Sequence, residues 1–182
     1  MALTPTLMSP SDLLCKLARE QYRAFHAQHP AHKADHLYNF CITALAIKDF
    51  IFEQLGITNR SHKQPYHDEW AKVRELVAAT EIANTSKHLV LRDNKQNPKL
   101  PKTKSVKHTT SSVVDVYLDK VGNLHKVLRE NVPDYEIELE DGTTLQLWQF
   151  TNAVIRYWEI YFQSNSIPYN RQSEDEYYGN IT

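Results

Sequence analysis

The chain has 182 residues, of which 41% are hydrophobic and 24% charged, and its net charge is −1. That length suits one domain able to bury a core without staples. The near-zero charge leaves no whole-molecule attraction to nucleic acid or to acidic partners, so any such preference must be local. With only four glycines and no G-x-G-x-x-G or G-x-x-x-x-G-K spacing, a Gly-rich phosphate loop is excluded and no cofactor is expected.

Cys15 and Cys41 lie in helical patterns without a C-x-x-C pair, and read as small buried apolar residues of a reducing compartment. The longest apolar stretch, 40–52, is interrupted by Lys48 and Asp49 and is too short to cross a bilayer. The first residues lack the charged and apolar regions of a secretory signal. A cytoplasmic protein without membrane contact is the expectation.

In chain order, Ser9, Pro10 and Asp12 mark a helix start by cap, first-turn proline and capping box. Leu14, Leu17, Ala18, Tyr22 and Phe25 continue it at helical spacing, and it should end before Pro30. A second helix is expected over 35–55, closed by Gly56. It is apolar on nearly every side, as the central helix of a bundle is, with Asn39, Thr43, Lys48 and Asp49 as exceptions. Residues 58–66 read as a polar loop and 67–91 as a third helix. Residues 92–110 carry six Lys or Arg against one Asp, a net of +5, and read as a flexible basic loop.

Beyond it the period changes to two. Val114, Val116 and Leu118 alternate with Asp115 and Tyr117, and Ile137 and Leu139 with glutamates. Gly122-Asn123 and Asp141-Gly142 supply turns. A last helix over 146–162 carries Leu147, Phe150, Val154, Tyr157, Trp158 and Tyr161 on one face. The expected fold is α+β, mainly α. A single domain over 1–163 has a four-helix core, with a small antiparallel sheet at about 111–147 before the C-terminal helix. Residues 164–182 form a loosely held tail.

The polar cluster of the third helix is the main candidate site. On a wheel of about 100° per residue, Asn84 and Lys87 fall inward and Glu81 and His88 on the flank. His88 would act as acid or base, Lys87 would hold an anion and Asn84 would orient a substrate, with Glu81, Asn39 and Asp49 in support. The same residues also read as a structural network fixing helix register. His26, His29, His32 and His36 form a further, metal-like spacing, but Pro30 divides them.

An apolar central helix and the motif Asn84-Thr85-Ser86-Lys87-His88 near a helix end resemble the HEPN superfamily of prokaryotic defence and toxin systems. The two segments 81–89 and 34–41 also resemble uncharacterised bacterial and phage proteins. The resemblance implies action on, or binding of, RNA or nucleotides. The family's ribonuclease motif separates an Arg from a His by four to six residues. Here Glu81, Ile82 and Ala83 stand where that Arg would precede His88, whereas Arg19 and His26 satisfy the spacing on the first helix. The alternative is a non-catalytic binding or assembly module. In it the cluster is structural, and the aromatic tail or the strand edges contact a protein partner.

Overall fold

The computed structural model describes residues 7–85 and 100–169. Their elements are α1 (Pro10–His26), α2 (Pro30–Gln54), α3 (Arg60–Trp70), α4 (Arg74–Thr85), β1 (Thr103–Leu118), β2 (Leu124–Leu139), β3 (Thr144–Gln146) and α5 (Leu147–Ser164). The fold is α+β and mainly α, with a three-stranded antiparallel sheet before the C-terminal helix, as the patterning implies.

Helix α1 begins where the capping box places it. The Ser9 hydroxyl accepts from the Asp12 amide at 3.2 Å, and the Asp12 carboxylate accepts from the Ser9 amide at 2.9 Å. Helix α2 begins five residues earlier than its apolar pattern, at Pro30. The His29 ring nitrogen Nδ1 accepts from the Ala31 amide at 3.2 Å, and Pro30 fills a first-turn position where no amide is needed. Contacts of Lys16 with Thr43, Glu20 with His36 and Phe25 with Lys33 run in opposite order along the two helices, which are therefore antiparallel.

The expected third helix over 67–91 is two helices, and the expected loop 58–66 largely belongs to the first of them. Asn59 starts α3 by accepting from the Ser61 amide at 2.9 Å. Pro65 is accommodated inside it because α3 is held from its other side. There Tyr66 and Trp70 pack on Phe52 with ring centroids 5.7 and 5.3 Å away. At the break the amides of Lys72 and Val73 bond three residues back, to Glu69 and Trp70, and α4 leaves in a new direction.

The sheet order is β1-β2-β3, and residues 103–110, expected in the basic loop, are the first half of β1. Residues 92–99 of that loop lie outside the described residues. The two predicted turns are present, with Gly122 and Gly142 at φ of +86° and +82°, a region that side chains resist. Ile137, Leu139 and Leu145 pack into the helical core at the root of the sheet. Two hydrogen bonds reinforce that root: the Thr103 amide donates to Glu81 at 2.6 Å, and the Tyr135 hydroxyl donates to the Pro30 carbonyl at 3.0 Å.

The core is richest in aromatics where α2, α3 and α5 meet. The Trp70 and Trp158 rings cross at 5.5 Å, with Phe52, Tyr161 and Phe162 around them. Among the described residues no helix is long and apolar enough to cross a membrane. Trp158 has no exposed surface, so Trp158→Ala should cost about 3–5 kcal/mol in urea unfolding through cavity and transfer terms.

Candidate functional site

Of the predicted cluster, Lys87 and His88 lie outside the described residues. Glu81 is partly buried and is committed to the Thr103 amide, so it joins α4 to the hairpin root. Asn84 is partly buried, but it is not in the middle of the inward face. That face is made by Leu76, Ala79, Ile82 and Ala83, which turns Asn84 to the flank. The expected inward placement of Asn84 fails because α4 packs through its alanines, which set the buried side of the helix. Asn39 and Asp49 are exposed on α2, and no hydrogen bond joins either to Asn84.

The polar groups that do converge lie between α1 and α2. Glu20 is 4% exposed. Its carboxylate meets His36 Nδ1 at 2.9 Å, Arg23 Nη1 at 3.1 Å and Lys16 Nζ at 3.9 Å. Lys16 in turn donates to the Thr43 hydroxyl at 2.6 Å, and Thr43 donates to the Asn39 carbonyl at 2.7 Å. The sequence signal for this network was an acid at helical spacing with Leu13, Leu17 and Ala24, on the buried side of α1. Lys33, equally buried, donates to the Phe25 carbonyl at 3.1 Å and so satisfies the C-terminal end of α1. These contacts tie two helices together.

Of the four histidines in the metal-like spacing, His29 caps α2 and His36 belongs to Glu20. Among the described residues no three His, Cys, Asp or Glu side chains come together in a way that would hold a metal ion. Burial pushes the Cys41 thiol far above its ordinary range, which removes it as a nucleophile.

A second polar contact joins α2 to α4. Lys48 donates to the Thr80 hydroxyl at 3.0 Å and lies 5.8 Å from the centre of the Trp70 ring. Burial pushes its pKa down to about 8, against the opposing pull of Asp49.

The most unusual surface belongs to the hairpin. Beyond its root, β1 and β2 continue as a two-stranded arm, since β3 pairs only with residues 136–138 of β2. In the outer half, Val114 pairs with Leu128, Val116 with Lys126 and Leu118 with Leu124, and cross-strand partners share a face. The five apolar residues on this face are between 53 and 65% exposed. The opposite face carries the Asp115–Arg129 pair, bonded through two nitrogens, and the Tyr117 and His125 rings stacked at 5.2 Å. It is turned toward the end of α1, where His26 feels the charges of Asp115 and Arg129.

The tip of the arm is a closed turn. There Asp119 accepts from the amides of Val121 and Asn123 at 2.9 and 2.8 Å, and its second oxygen meets His125 Nε2 at 3.0 Å. The His125 and Asn123 contacts hold the Asp119 carboxyl well below the usual carboxylate range. The alternation of Val114, Val116 and Leu118 that predicted a half-buried strand is therefore real, but its apolar side faces solvent.

Between pH 8 and about 10.5 an unfolded chain keeps the Lys48 proton that the folded chain has released. Stability should accordingly rise with pH across that window, by about 1–2 kcal/mol after allowance for partial solvent access. In urea unfolding at several pH values, Lys48→Met should reduce the rise, to which Lys16 and Lys33, whose pKa burial also lowers, contribute, and stabilise the protein at pH 7. Comparison with protein-family models, with curated proteins and with solved structures finds no match to this chain.

Proposed function

We propose that this protein is a non-catalytic binding or assembly module whose contact element is the outer half of the β1–β2 arm. The observation that carries this reading is the in-register apolar face of Val114, Val116, Leu118, Leu124 and Leu128. Isolated surface hydrophobes are ordinary, but a contiguous apolar strip on a projecting element marks a contact surface. The closed turn at its tip adds support, because a preformed element loses little entropy on binding.

The polar groups favour the same reading. Glu81 serves the hairpin root, and Glu20, His36, Lys16 and Lys33 serve the α1–α2 contact. An acid–base site would need such groups to open onto a space for substrate, whereas the convergent set around Glu20 is spent on joining α1 to α2. Action on RNA or nucleotides through Asn84, Lys87 and His88 draws no support from Asn39 and Asp49, which stand exposed on α2.

Replacing Val114, Val116 and Leu118 together by serine tests the proposal. These side chains contribute little to the helical core, so the melting temperature should move by no more than about 3 °C. The native mass of complexes containing the protein in extracts of its source cells should fall at the same time. A drop in melting temperature of 10 °C or more would show that the arm serves the fold instead.

A further inference from the structure

The arm face has a chemistry that selects its occupant. It is a grid of three cross-strand pairs: Val114 with Leu128, Val116 with Lys126, and Leu118 with Leu124. All six residues are exposed, and Lys126 is the one cation among five apolar side chains. The strip covers on the order of 500 Å², at the upper end of what a monomer leaves bare. Two such strips face to face would bury about 1,000 Å², the lower bound for a specific interface.

Strand-edge pairing is the competing use of such an arm, and the inner half of β1 is built against it. That half carries Lys104 and Lys107, both paired with Glu138 of β2, and an extra residue interrupts it between Thr103 and Ser105. Lysines and bulges are the devices by which natural sheets block edge addition. The face carries no comparable device except Lys126.

We infer that the occupant of this face is a second copy of the chain, packed face to face about a two-fold axis parallel to the strands. The inference rests on the reading of the arm as a contact element. Under that axis β1 of one chain lies over β2 of the other. Leu128 then meets the second chain's Val114, Leu124 meets its Leu118, and the stem of Lys126 lies along its Val116. The Lys126 ammonium reaches water at the margin, as long basic side chains do. A two-fold axis perpendicular to the strands would instead set Lys126 against Lys126 at the centre, so the cation specifies the arrangement. An interface of this size sits at the weak end of specific contacts.

Sedimentation equilibrium of the full chain up to about 100 µM tests the inference. The wild type should form dimers. Val116→Glu should raise the dimer dissociation constant at least tenfold, and Lys126→Leu should lower it. Both should leave the far-ultraviolet circular dichroism unchanged, since neither side chain enters the core. A wild type and a Lys126→Leu variant that both stay monomeric would overturn the inference. So would a dimer indifferent to Val116→Glu. Neither result removes the arm as a contact element for another molecule. That reading fails separately, if the serine-substituted arm unfolds the protein or leaves its cellular complexes intact.

Discussion

The burial of Ile137, Leu139 and Leu145 against the helices is the constraint on which the rest of the hairpin depends. Side chains in a strand alternate between faces, so a slip of one residue would send every apolar side chain of β2 to the other side. Ile137 and Leu139 have no exposed surface, and that fixes the register at the root. Glu81 bonding the Thr103 amide and Tyr135 bonding the Pro30 carbonyl hold the same register from two helices. From there the ladder runs outward through a shift at Ser111/Val113, where Asn131 takes a φ of +56° in the left-handed region that Asn tolerates. The orientation of Val114, Val116 and Leu118 is therefore determined at the root, well away from those residues.

Much of the fold was legible in the sequence because its signals were local. The Ser9–Asp12 capping box, the two glycine turns and the alternation around Val114 and Ile137 each depend on a few neighbouring residues. The division of the expected third helix was not legible. It carries neither Pro nor Gly, and it follows from Trp70 being drawn into the aromatic core beside Trp158. The first half of β1 was hidden for a related reason. Its lysines read as a solvated loop, yet its backbone is recruited by β2, whose own apolar residues are anchored. Asn84 was misplaced by a turn of the wheel, because α4 packs through alanines rather than through its largest side chains.

Polar and apolar residues have exchanged their usual significance in this molecule. Buried charge invites a catalytic reading, but the groups around Glu20 and Lys33 neutralise helix ends and one another, and Lys48 answers Thr80. Such networks fix which helices meet and in what register. Among the described residues the in-register apolar strip stands exposed on the arm. An alternating strand whose apolar side remains in water has the form of a half-finished sandwich, which the proposed contact would complete.

Methyl resonances of the arm, followed through a dilution series by NMR, give the most direct measurement of this account. It predicts that the methyl groups of Val114, Val116, Leu118, Leu124 and Leu128 shift or broaden together as the protein is concentrated. Those of Ile47 and Ile137, buried in the core, should stay fixed. Arm methyls that show contacts to the helical core of their own chain and no response to concentration would contradict it.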